Sequence, residues 1–150
     1  MMDFDHIDDH ILRILGANGR IPNIELAESV GLSPSACLRR VQELERRGVI
    51  TGYRATLDRT ALGKGFVAYI AVGLKDHTKD GQEGFERSVA NAPEVLECHN
   101  ITGSVEYLLR VEVADLAAYK TFHTDVLGTF AQVNSLTTYV VMGSPKDDRA

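Results

Sequence analysis

Residues 21–50 read IPNIELAESVGLSPSACLRRVQELERRGVI. Two short helices joined by a tight turn account for nearly every position in this stretch. Asn23 is placed to cap the first helix, and Glu25 falls in its first turn, where the helix dipole favours negative charge. Ile24, Leu26, Ala27 and Val30 are its candidate buried residues. Gly31 ends it, supplying the positive φ that a sharp exit needs. Leu32 covers the turn. Ser33-Pro34 opens the second helix, serine as N-cap and proline at the first helical position. Cys37, Val41 and Leu44 recur at intervals of four and three, so they face inward. Arg39, Arg40, Gln42 and Arg46 are left mostly outward. Gly48 closes the helix, and Val49-Ile50 begins a strand.

Two helices and a turn can serve only as a scaffold whose charges keep it soluble. The chemistry of the second helix argues for duplex DNA. A recognition helix needs side chains that reach base edges and phosphates from its N-terminal half and exposed face. Arginine pairs bidentately with guanine and glutamine with adenine. Ser33, Ser35 and the free amides of the first turn suit phosphate oxygens. The candidate DNA-binding residues are therefore Ser33, Ser35, Arg39, Arg40, Gln42 and Arg46.

The net charge of −5 is unusual for a DNA binder until it is divided. Residues 1–32 carry two basic and six acidic groups. Residues 33–54 carry five arginines against Glu43 and Glu45, and residues 55–150 carry nine basic and thirteen acidic groups. Positive charge is concentrated where DNA would lie, and the acidic remainder limits indiscriminate sticking. Cys37 and Cys98 are the only cysteines, too few for a disulfide framework, which points to a reducing compartment. No apolar run reaches membrane-spanning length, and the acidic N-terminus is unlike a signal peptide. A cytoplasmic, nucleoid-associated protein without membrane contact is expected.

Asp5 to Ala17 reads as a first helix, with Asp5 as cap and Ile7, Ile11, Ile14 and Leu15 as its apolar stripe. It completes the three-helix core of a small DNA-binding domain. His6 and His10 have the spacing of helical metal ligands, but no third ligand is evident, and a solvated helix end is the better reading. Val49 to Leu57 looks like a strand and connection, with Gly52 at the tip of a small wing. Tyr53 and Arg54 would then touch DNA backbone or cover a domain junction. Asp58 to Gly65 is a linker by composition.

The second half has a different rhythm. Phe66 to Leu74 is a nearly unbroken apolar run, hence a strand buried on both faces. Asp80 to Ala92 is helical and Pro93 ends it. Glu94 to Thr102 is a second strand, Gly103-Ser104 a tight turn and Val105 to Val113 a third strand. Asp115 starts a helix carrying Leu116, Tyr119, Phe122, Val126, Leu127 and Phe130 inward, and Val133 to Met142 is a fourth strand. The order is βαββαβ: a four-stranded antiparallel sheet with two helices on one face, a ferredoxin-like sandwich. The division expected is 1–57 helix-turn-helix domain, 58–65 linker, 66–143 ferredoxin-like domain and 144–150 polar tail. The fold class is α+β, a winged helix-turn-helix followed by this sandwich. One sheet face is left uncovered and carries apolar groups, which implies a partner. The simplest is a second copy in a symmetric dimer, presenting two helix-turn-helix units to a pseudo-palindromic site.

The turn at Gly103-Ser104 can present backbone amides and a hydroxyl to a carboxylate, and Glu106 is an anion able to hold an ammonium. Thr137 and Thr138 on the last strand are further polar candidates. A hairpin turn wants glycine and serine in any case, and Glu106 can equally point to solvent. Cys98-His99 cannot readily share a site, because neighbours on a strand face opposite ways. His123 is a structural or partly exposed side chain of a helix. No phosphate loop, zinc spacing or catalytic triad is present, so an enzyme is not expected and no cofactor is called for.

Together the segments FDHIDDHIL, GRIPNIELAESVGLSPSACLRRVQELERRGVITGY, ECHNITGSVEYLLRV and TTYVVM resemble the leucine-responsive/asparagine-responsive (Lrp/AsnC, feast/famine) family of bacterial and archaeal transcription regulators. The resemblance runs over about residues 4 to 142. It implies dimers that often assemble into tetramers, octamers or hexadecamers. It implies small effectors, usually amino acids, bound between the C-terminal domains of neighbouring dimers. The family's pocket draws on the turn after the second strand: here Thr102, Gly103, Ser104 and Val105, leading into Glu106 and Tyr107. Many members carry aspartate where this chain has Glu106. The extra methylene moves the carboxylate by about 1.5 Å and leaves the effector's identity open. The function expected is a sequence-specific, effector-responsive transcription regulator. The alternative is a nucleoid-organising protein that wraps DNA with little sequence preference.

Overall fold

The computed structural model describes residues 4–147. The chain divides into two compact units, 1–55 and 56–150. The first contains α1 (His6–Ala17), α2 (Asn23–Val30) and α3 (Pro34–Arg46). Asp5 caps α1 by accepting the amides of Ile7 and Asp8. Gly31 ends α2 at φ 72°, the left-handed conformation that a side chain would resist. Ser33 caps α3, accepting the Ala36 amide at 3.3 Å, and Pro34 takes the first helical position. Ile11, Leu26, Ala27, Cys37 and Leu44 form the buried centre, with Ile7, Leu15, Val41, Val49 and Ile50 packed around it.

Two local expectations fail here. Pro22, not Asn23, precedes the first residue of α2, with no side-chain cap. The Asn23 amide instead donates to the carbonyl of Pro34 at 2.9 Å, tying the starts of α2 and α3 together. The strand and wing expected over Val49–Leu57 do not form. The amides of Val49 and Ile50 both return to the Leu44 carbonyl, at 2.9 and 3.2 Å. Their side chains join the helical core. A strand needs a neighbour for its backbone, and none of the described strands pairs with this segment.

The second unit contains β1 (Phe66–Leu74), α4 (Lys79–Ala90), β2 (Val95–Asn100), β3 (Tyr107–Val113), α5 (Leu116–Asp125) and β4 (Val133–Val140). The sheet order is β2-β3-β1-β4, and every neighbouring pair is antiparallel. Residues 59–63 form turns that precede β1. The last three residues of the expected polar tail lie outside the described residues.

Both helices cover one sheet face. Phe85 and Val89 of α4 and Tyr119 and Phe122 of α5 pack on Ala68, Ile70, Val72, Leu109 and Val111. Phe85 centres this core, 4.8 Å from the Tyr107 ring and 6.2 Å from that of Phe130. Leu116, expected inside, is 65% exposed. It begins α5 at the rim of an open groove of about 740 Å³ shared with Tyr119, Lys120, His123 and Thr138.

Among the described residues of this unit, no helix covers the other sheet face. Strand register puts Val67, Tyr69, Ala71 and Gly73 there, beside Leu108, Arg110 and Glu112 of β3 and Ser135, Thr137 and Tyr139 of β4. Tyr139 is 59% exposed. Glu112 is nevertheless buried, because Arg110 pairs with one oxygen and Arg59 approaches the other at 3.4 Å. A carboxylate in that position needs such cations to offset its lost hydration.

Candidate nucleic-acid interface and effector site

Ser35, Arg39, Gln42 and Arg46 are spaced by four, three and four residues, so they share one face of α3. All four are exposed, as is Ser33 at the cap. Cys37, Val41 and Leu44 hold the opposite face against α1 and α2. The arginines of this region are used differently. The Arg40 guanidinium reaches back to α1, 2.7 Å from Asp5 and 2.9 Å from Asp8. Asp5 thereby both caps α1 and anchors α3. Its carboxyl is held below the ordinary value of 3.8, first by the Asp8 amide and then by Arg40. Arg46 is forked onto Glu43 one turn away, at 2.6 and 2.8 Å, in an exposed pair that solvent keeps weak. Arg47 lies over the Phe4 ring at 5.3 Å. Arg39 and Gln42 alone among the candidates, as far as the described residues go, make no side-chain hydrogen bond or ion pair within the fold.

Tyr53 does not sit on a wing. Its hydroxyl donates to Glu45 of α3 at 2.8 Å and its ring lies against Gly19. Burial, and then the Glu45 carboxylate, push its ionisation up.

In the second unit, Gly103 turns the chain between β2 and β3 at φ 125°, and Thr102, Gly103 and Ser104 are exposed. Glu106 closes this turn, donating its amide to Val72 and accepting from the Ile101 amide at its carbonyl. Its carboxylate is turned toward the end of β1. One oxygen accepts the Leu74 amide at 2.6 Å, and the other lies 2.9 Å from Nδ1 of His77. Gly73 is a close-approach position. A Cβ there would run into the Ser135 hydroxyl, with the Glu106 carboxylate just beyond. Gly73 and Ser135 are paired across β1 and β4, so Glu106, Gly73, Ser135 and, two residues on, Thr137 share the helix-free side.

Tyr107 and Thr138 do not join them. Tyr107 is buried beneath α4, its hydroxyl donating to Glu86 at 2.6 Å. Burial first and Glu86 second push its ionisation up to about 12, so it stays a donor. Thr138 shares a hydrogen bond with the Tyr119 hydroxyl on the helix side. The reason is register: residues 106 and 107, and 137 and 138, alternate across the sheet. Val105 is half-buried in the turn. His77 and Ser135 were missed in the sequence because neither is near the turn along the chain. Only strand register and the loop after β1 bring them to Glu106.

The remaining reactive groups stay apart. Cys98 pairs with Leu109 and His99 with Leu108, which confirms their opposite facing. Burial, and then Glu86, push the Cys98 thiol up to about 11, away from nucleophilic character. Among the described residues no three His, Cys, Asp or Glu side chains form a metal-binding group. No described helix is long and apolar enough to cross a membrane.

Comparison with known proteins agrees with this two-part geometry. Residues 4–51 match the model for winged helix-turn-helix DNA-binding domains, and residues 67–150 match the Lrp/AsnC ligand binding domain. The chain belongs to the Lrp/AsnC family. It is 40% identical over 144 residues to the leucine-responsive regulatory protein of Escherichia coli, covering 96% of this chain and 88% of that one. Its fold superposes with a TM-score of 0.92 on a Neisseria meningitidis transcriptional regulator solved with L-methionine. That pair is 38% identical, with 97% and 94% of the two chains covered. Escherichia coli AsnC gives a TM-score of 0.88 at 27% identity, over 97% of each chain. As an Lrp/AsnC protein, the chain is a DNA-binding transcription regulator that responds to a small effector. Its relatives are regulators, which points away from catalysis.

Proposed function

We propose that this Lrp/AsnC regulator reads a specific duplex sequence through the Ser35–Arg39–Gln42–Arg46 face of α3, as a homodimer, under the control of an amino acid. The observation that carries the DNA reading is the division among the arginines. Arg40 is spent on Asp5 and Asp8, whereas Arg39 is exposed and unengaged beside Gln42. Arg39 and Gln42 are the base readers. Ser33, Ser35 and the first amides of α3 hold phosphate, and Arg46 does so by leaving Glu43. Arg40 serves instead by fixing α3 against α1.

The effector site is the helix-free corner formed by Thr102, Gly103, Ser104, Val105 and Glu106, with Thr137 beside it. Turn amides take the carboxylate and Glu106 takes the ammonium. Tyr107 and Thr138 support it from the opposite side without touching the effector. The Neisseria relative's complex with L-methionine supports an amino acid as the class. The uncovered sheet face supports a second copy as partner, with larger assemblies built from that dimer. The protein works as a regulator in the cytoplasm, without catalysis and without a cofactor.

Selection from a random duplex library tests the reading. Enrichment of a pseudo-palindromic consensus, with affinity falling as salt rises, is the expected result. Extended, evenly spaced footprints with no consensus would replace it with non-specific wrapping. A thermal-shift screen of the amino acids tests the effector, since a compound that binds the folded state raises its melting temperature.

A further inference from the structure

We propose that His77 is an internal competitor for the effector's ammonium group, and so sets how tightly, and at what pH, the Glu106 site accepts an amino acid. This rests on the reading of Glu106 as the ammonium acceptor. A carboxylate free to receive an ammonium needs an open oxygen. Here the Leu74 amide occupies one Glu106 oxygen at 2.6 Å, and the His77 ring stands 2.9 Å from the other. Glu106 is mostly enclosed, with 14% of its side chain exposed, whereas His77 is 82% exposed. The carboxylate is fixed and the imidazole is a movable cover. An incoming cation reaches Glu106 by displacing the ring into solvent, which asks nothing else of the fold.

Displacement depends on charge. Imidazolium bound to Glu106 is a cation that the effector must replace; neutral imidazole is a weaker rival. Histidine is the side chain whose charge changes most readily between about pH 5 and 8. The charged groups that flank His77 in sequence are Lys75, Asp76, Lys79 and Asp80, the last in the first turn of α4. Asp76, in the same loop, is held ionised first by the Thr78 hydroxyl, then by the Thr78 amide, with the His77 charge assisting. Lys75 and Lys79 are its exposed neighbours in sequence. From β1 and β4, Gly73, Leu74 and Ser135 bring no ionisable side chain to the site.

Two measurements on the full chain test this. The first needs no effector: nitrogen-15 NMR follows the His77 ring nitrogens with Glu106 intact and in Glu106→Gln. Loss of the carboxylate is expected to shift the Nδ1 resonance by removing its partner at 2.9 Å, and an unchanged resonance would overturn the proposal. The second is calorimetric binding of L-methionine, and of the other amino acids in turn, at about pH 6 and about pH 8. His77→Ala is expected to bind the active amino acid about two- to five-fold more tightly than the parent near pH 6, and almost equally near pH 8. His77→Arg, a cation at both pH values, binds weakly at both. Equal affinities for the parent and His77→Ala at both pH values, with loss in Glu106→Gln, would overturn the competitor role and leave Glu106 as the ammonium acceptor. Undiminished binding by Glu106→Gln, or no binding of any amino acid, would instead remove the Glu106 reading, and the proposal with it.

Discussion

Arg39 and Arg40 are adjacent, carry the same charge and face different surroundings, which makes them a direct test of the interface. Arg39→Ala is expected to cost about 1–3 kcal/mol in binding to the selected site, roughly 5- to 150-fold, and to relax base preference at one position. Its melting temperature should match the parent's. Arg40→Ala should behave in the opposite way. It leaves Asp5 and Asp8 without their shared cation, so the melting temperature of the helical domain falls, and DNA binding suffers equally on selected and random duplexes. Anisotropy titrations and calorimetry on both variants check the contrast. Asp5 adds a pH dependence whose sign is set by its depressed ionisation. Its contribution is present in full above the ordinary value of 3.8 and is lost as pH falls through the lower folded value. Asp5→Asn should remove that part of the acid destabilisation, as followed by circular dichroism.

Among the elements, the α2–α3 turn and α4 are the places where single changes should cost most. Gly31 holds φ 72°, and the Leu32 amide closes the turn onto the Ala27 carbonyl at 2.9 Å. Gly31→Ala leaves the space free but forces a side chain into the left-handed region, at about 1–2 kcal/mol. Phe85→Ala empties the centre of the second unit and should cost about 3–5 kcal/mol in urea denaturation. These elements were legible in sequence because their signals are local. Ser33-Pro34 and Gly31 mark helix ends, and the unbroken run from Phe66 to Leu74 is a strand over just those residues. Other limits moved by a few residues. The helix expected from Asp80 to Ala92 runs from Lys79 to Ala90, because Thr78 caps it by accepting the Gly81 amide. Val49–Leu57 has strand-like composition, yet composition cannot supply a pairing partner.

For the whole molecule, the proposed dimer rests on the uncovered sheet face. Tyr139 stands at its exposed edge strand, opposite Tyr69. Tyr139→Glu should shift the protein toward monomer in sedimentation velocity, because burying a carboxylate between two sheets costs its hydration. Binding to a two-half-site operator should then weaken by ~10²-fold or more through lost avidity, while each helical domain stays folded. An unchanged sedimentation coefficient would remove this face as the proposed interface.

The amino-acid order alone determined the two-part architecture, the helix caps at Asp5, Ser33 and Asp115, the arginine-rich helix and the turn at Gly103, because each rests on contacts within a few residues. Tertiary structure decided the rest. It spent Arg40 on α1, turned Tyr107 into the helix-covered core and Thr138 toward Tyr119 on the helix side, buried Glu112 between two arginines, and brought His77 and Ser135 to Glu106. These are long-range effects of strand register and helix packing. A side chain's partner across a sheet is fixed by how distant segments align, which no local pattern encodes.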